Sequence, residues 1–149
     1  MAAQFGLKGK NNLESALIDE VVDTIEDVIN VTIKTHFETD PVKKAETVSQ
    51  LNESTVLPML ANIEKRLVSR GGQFLVGNAL SLADIHLFFF CSEYTTPKLL
   101  ANTPKIANLV KRVEGLPNIQ KWLKNRPVSN SDWLLFRQNK TEGIAVLYI

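Results

Sequence analysis

The apolar positions of this chain recur mostly at steps of three and four residues. Between Leu13 and about Phe37, Leu17, Val21, Ile25, Val28, Ile29 and Ile33 keep that spacing while Glu14, Asp19, Glu20, Asp23, Glu26 and Asp27 take the other faces, which predicts a long amphipathic helix. Asp40 and Pro41 supply an N-cap and a first-position proline, so a second long helix starts there. It runs to about Ser69 and closes at Gly71-Gly72. Pro58 lies inside it, removes one backbone N–H and crowds the carbonyl one turn back, so a kink near Thr55 is expected within a continuous helix. Ser81 opens a third helix to about Tyr94, and Pro104 to Glu114 forms a fourth, ended by Gly115. Pro117 starts a short helix over Asn118 to Lys124, which Arg126-Pro127 stops.

No period-two pattern and no internal repeat interrupts this series, so residues 1–130 read as an all-α bundle of about five to six helices. Residues 131–149 differ, because IAVLYI ends the chain as a β-prone apolar run. That extension either docks on an apolar groove or stays poorly ordered, and the second reading fits its composition better.

Composition narrows the partners. The chain has 149 residues, 44% hydrophobic and 22% charged, the profile of one globular domain with its own core. A formal charge of +1 gives no overall attraction to nucleic acid or an acidic membrane. The basic stretch Lys111, Arg112, Lys121, Lys124 and Arg126 reads as solvated helix faces. Cys91 is the only cysteine, which excludes a disulfide framework, a paired redox motif and a thiolate metal cluster, and fits a reducing, cytoplasmic setting. No charged leader precedes an apolar segment, and no run approaches the roughly 20 apolar residues of a membrane helix.

The stretch GNALSLADIHLF specifies a helix start twice over. Ser81 and Asp84 have capping-box spacing, and Leu80 and Ile85 flank them as a hydrophobic staple. The residues after the box are apolar almost all round, which makes this helix the buried centre of the bundle.

Set after GG-x-FLVGN, this start resembles the helix signature of the C-terminal domain of soluble glutathione transferases. FGLKGKN resembles the linker into that domain, LIDEVVDTIEDV its first helix in the sigma class, which holds prostaglandin D synthase and S-crystallins, and LPNIQKWLKNRPVS its closing segment. The resemblance implies a glutathione-transferase C-terminal-like helical bundle. It also implies that a thioredoxin-like domain, with the tyrosine that stabilises the glutathione thiolate, would precede this segment. Neither Tyr94 nor Tyr148 matches that tyrosine, so the chain alone is expected to be weak or inactive.

The acidic residues Asp23, Glu26 and Asp27 share one helix face, where a solvated surface is the plain reading. The resemblance implies that Asp27 reaches across a homodimer to glutathione, and more weakly that Asp23, Glu26 and Asp27 form a divalent-metal face. His86 reads on its own as a satisfied histidine of a core or groove, with no nucleophile partner at suitable spacing. By resemblance, His86 and Phe90 line a hydrophobic electrophile pocket with Ile29, Ile33 and Lys34, and Lys34 departs from the bulky aromatic of prostaglandin-forming relatives. Glutathione is then the co-substrate, with no metal required, and a hydrophobic electrophile is the other ligand. The alternative is a non-catalytic scaffold of the crystallin or translation-complex type.

Overall fold

Most helices of this chain start at a group that satisfies their free N–H groups. The computed structural model describes residues 2–126, apart from the side chain of residue 36, so the terminal extension 131–149 lies outside the described residues. After a short 3-10 turn at Ala2–Phe5, α1 spans Asn12–His36. Its cap is Asn11, whose side-chain oxygen accepts from the Glu14 N–H at 2.9 Å. Glu14 in turn accepts from the Lys10 N–H at 2.8 Å, which reinforces the start from outside the helix. Helix α2 spans Pro41–Leu51, and Asp40 caps it by accepting from the Val42 and Lys43 N–H groups.

Helix α3, Leu57–Ser69, continues α2 through one wide turn at Asn52–Val56. There the Leu57 N–H bonds to the Asn52 carbonyl five residues back. The expected kink takes this form because Pro58 has no N–H to give and its ring needs room beside the Ser54 carbonyl; one extra residue in the turn makes that room. The C-terminus of α3 closes as the two glycines predict. Gly72 N–H bonds to Leu67 and Gly71 N–H to Val68, with φ of +74° and +88°, the pairing of a Schellman motif.

Helices α4 (Leu82–Tyr94), α5 (Pro104–Glu114) and α6 (Pro117–Asn125) follow. With α2 and α3 counted as one bent rod, the bundle has five rods, and the described residues contain no strand. Helix α4 packs between α1 and α5, α3 lies on α5, and α1 on α2. Leu87 and Phe90 of α4 meet Ile25, Leu60, Leu67, Ile106 and Leu109 in a core from which solvent is excluded. One position departs from the all-round apolar burial expected of α4: Phe89 is 42% exposed.

The N-terminus of α4 is buried, so its N–H groups need partners inside the protein. The capping box forms, and Asp84, fully buried, extends it. One carboxylate oxygen accepts from the Leu75 N–H at 2.8 Å. The other accepts from the Ser81 N–H at 2.8 Å and the Ser81 hydroxyl at 2.7 Å. The Leu82 N–H goes to the Leu7 carbonyl at 3.0 Å, fastening the N-terminal segment to the same point. Leu80 and Ile85 are half-buried against the core, as staple positions require. A second start is served from a distance: Thr103 places no side-chain cap on α5, and Glu64 of α3 accepts from the Lys105 and Ile106 N–H groups at 2.9 Å each.

Asp84→Ala strands two buried N–H groups at ~1–3 kcal/mol each, so a loss of ~3 kcal/mol or more is expected in urea unfolding. Glu64→Ala should cost ~1 kcal/mol, the usual worth of a helix cap. An Asp84→Ala loss no larger than that of Glu64→Ala would show that the carboxylate does not hold the α4 start.

Candidate functional site

The flank where α1 meets α4 carries the polar and aromatic groups left over from core packing. Counting from the Ser81 cap, α4 buries Asp84, Leu87, Phe88 and Cys91, so Leu82, His86, Phe89 and Glu93 form the stripe at the edge of the bundle. From α1, Glu26 meets this stripe: its Oε1 lies 3.0 Å from His86 Nε2. The contact is within ion-pair distance but off the line of a good hydrogen bond, and Nε2 has no other partner. The His86 side chain is 16% exposed and that of Glu26 47%.

Aromatic rings continue the surface. The Phe89 ring lies 6.2 Å from that of His86, tilted by 38°, and meets Tyr94 edge-on at 5.8 Å. Tyr94 stacks on Phe90 at 5.9 Å. Burial lowers the His86 pKa from its ordinary value near 6.5, against the opposing pull of Glu26, so the ring is neutral near pH 7. Burial raises the Tyr94 phenol, and the Glu26 and Glu93 carboxylates raise it further. Burial likewise raises Asp84, against the hydrogen bonds from Leu75 and Ser81 and the nearby Arg112.

The site residues read from the sequence fall into four groups. His86 is on the α1–α4 flank, and Ile33 is half-buried and Lys34 exposed toward the end of α1. Ile29 and Phe90 belong instead to the core, at 4% and 0% exposure, so they stand behind the surface rather than in an open wall. Asp23 and Asp27 are exposed, while Glu26 reaches His86. No three His, Cys, Asp or Glu side chains among the described residues gather as a metal site, the Asp23, Glu26 and Asp27 face included. Glu26, about 100° around the helix from Asp27, turns toward His86 of α4. Ser81 and Asp84 are structural, as their capping box implies.

Two surface residues escaped the sequence reading, Phe89 and Tyr94. The signal was present: a step of three from His86 reaches Phe89, and two steps of four, through Phe90, reach Tyr94. On the far side of α4, an apolar cleft of ≈ 110 Å³ is lined by Phe74, Leu80, Asp84, Leu109, Arg112 and neighbours. The Arg112 guanidinium covers it, 5.5 Å above the Phe74 ring, and donates to the Gln73 carbonyl.

Comparison with known proteins shows the family of the chain. Residues 26–126 match the family model described as glutathione S-transferase, C-terminal domain. The chain is 36% identical over 126 residues to glutathione S-transferase A2 of Bos taurus, covering 83% of this chain and 56% of that protein. It is 35% identical over 126 residues to glutathione S-transferase alpha M14 of Sus scrofa, again covering 83% of this chain and 56% of the relative. It thus spans a little over half the length of these curated relatives. Among solved structures, prostaglandin synthase D of Nilaparvata lugens superposes with a TM-score of 0.74 at 26% identity, covering 86% of this chain and 65% of that one. No helix among the described residues is long and apolar enough to cross a membrane.

The His86 environment has a pH consequence. A histidine whose folded pKa lies below its unfolded value binds protons less readily when folded, so stability is lost as pH falls through about 6.5 toward the folded value. The raised Asp84 pKa acts in the opposite sense, gaining stability as pH falls toward its ordinary 3.8. Both proteins share Asp84, so comparing wild type with His86→Gln isolates the histidine. Urea melts from pH 7.5 to 5.5 should fall more steeply for wild type than for His86→Gln, and Glu26→Gln, which removes a group that raises the His86 pKa, should deepen the loss and extend it to lower pH. Parallel curves for wild type and His86→Gln would contradict the assignment.

Proposed function

The chain belongs to the glutathione S-transferase C-terminal domain family, and from that premise we propose that it supplies the electrophile-binding wall of a glutathione transferase. The observation that carries this reading is the partly buried His86 beside the exposed Phe89 on the α1–α4 flank, within the matched segment. Phe89 offers a flat apolar face and His86 a polar edge, the combination by which small-molecule sites orient a hydrophobic ligand. Ile33 and Lys34 extend the wall along α1, with Ile29 and Phe90 behind it. Glutathione is the co-substrate, held on a thioredoxin-like domain; this chain positions the electrophile against its sulfur, a proximity effect. Asp27, exposed on α1, reaches the glutathione amino group of the partner subunit in a homodimer. No metal takes part, and the enzyme is cytoplasmic.

A sigma-like lineage is supported by the likeness to a prostaglandin synthase D structure, while the curated relatives include an alpha-named transferase. The division of labour has a chemical reason. A thiol of pKa ~8.5 forms little thiolate at neutral pH without a donor on the sulfur. Tyr94 is unsuited to that work, since burial, and then the Glu26 and Glu93 carboxylates, disfavour a negative charge on its oxygen.

The 149-residue chain, mixed with glutathione and 1-chloro-2,4-dinitrobenzene, should give no conjugate above the uncatalysed rate. Joined to the thioredoxin-like domain of a glutathione transferase, it should turn over the same pair. Robust conjugation by the chain alone would overturn the placing of thiolate activation elsewhere; an inactive but folded two-domain protein would overturn the proposed function.

A further inference from the structure

The Glu26 and His86 contact does more than join two helices. The Glu26 carboxylate oxygen lies 3.0 Å from His86 Nε2; although the contact is off the hydrogen-bond line, its negative charge favours the tautomer of the neutral imidazole that carries the proton on Nε2. That leaves Nδ1 as the ring's one acceptor, on a side chain with 16% of its surface open. Glu26 is the charged group that meets this ring at Nε2. The Phe89 ring centre lies 6.2 Å from that of His86 and Phe89 is 42% exposed, which places an apolar surface beside the imidazole. The Glu26 carboxylate, 47% exposed, sets a negative charge at the same edge and disfavours anionic ligands.

We propose that Glu26 fixes His86 as a hydrogen-bond acceptor in this wall, so that the site selects uncharged ligands carrying a hydroxyl on a flat apolar body. This assignment rests on the reading of the α1–α4 flank as the electrophile wall. His86 is the specificity-determining residue, and Glu26 is a positioning residue that acts through it.

Three ligands of one shape separate the contributions: 1-naphthol, 1-methoxynaphthalene and 1-naphthoate, titrated into the 149-residue chain at pH 7.5. One net hydrogen bond of ~0.5–1.5 kcal/mol corresponds to a preference of about three- to tenfold, so naphthol should bind that much more tightly than its methyl ether. Naphthoate should bind most weakly. His86→Phe, which keeps the ring and removes the acceptor, should bring the naphthol-to-ether ratio to about one, and Glu26→Gln should lower it. Long-range 1H–15N spectra of the histidine ring should show the proton on Nε2 and a shift of the Nδ1 resonance with naphthol but not with the ether. Equal affinities in the wild type, a ratio that survives His86→Phe, a proton on Nδ1, or no binding by any of the three would each overturn the assignment. Conjugation by the two-domain protein is a separate readout: it can persist when the ratio is one, and its loss leaves the ratio to be measured.

Discussion

A single buried carboxylate fixes the centre of this bundle. Asp84 has no contact with solvent, and it gathers the Leu75 N–H, the Ser81 N–H and the Ser81 hydroxyl. Burial makes the charge costly, which is why its pKa rises even with three donors around it. The N–H groups at the buried start of α4 make removing the charge costly too, since they have no water to turn to. Held between these two costs, the loop before α4 and the first turn of α4 have one arrangement. The rotation of α4 about its own axis is thereby set, and with it the identity of the stripe that faces outward. His86 follows two residues after the buried aspartate, and Phe89 one turn further.

The other long-range polar contacts serve the same framework. Glu64 of α3 reaches across to the start of α5, Arg66 of α3 donates to Glu20 of α1, and Arg126 beyond α6 lies 3.3 Å from Glu93 of α4. Each ties helices far apart in the sequence. Exposed pairs such as Glu20 with Arg66 add little to stability. Glu64 is different, because it satisfies two N–H groups that Thr103 leaves unmet.

Local chemistry made the fold legible in the sequence. Helix starts at Asp40 and Ser81 and the closing pair Gly71-Gly72 depend on neighbours within a few residues. Period and cap chemistry therefore located the helices within a residue or two. Tertiary features were hidden for the opposite reason. Nothing in the run Phe88-Phe89-Phe90 says which ring faces out until α4 is seated between α1 and α5, where Phe90 is fully buried and Phe89 faces outward. The Glu26 and His86 contact joins residues of two helices, and a side chain that looked like one member of an acidic face turns to a ring 60 positions later. The alternation of three and four does break once, between Leu51 and Val56, where the buried positions step by five.

That step has a geometric meaning beyond the proline that occasions it. Each residue of an α-helix advances the side chains by about 100° around the axis, so one extra residue in the turn at Asn52–Val56 acts as a phase shifter on a rod that otherwise runs on. Helix α2 aims its apolar stripe at α1, and α3, further along the same rod, aims its own at α5. A straight helix of the same length would offer one stripe to one neighbour. The wide turn lets one rod serve as the wall of two compartments, and it makes that segment the place where a single inserted or deleted residue would change which neighbours touch rather than how far the rod extends.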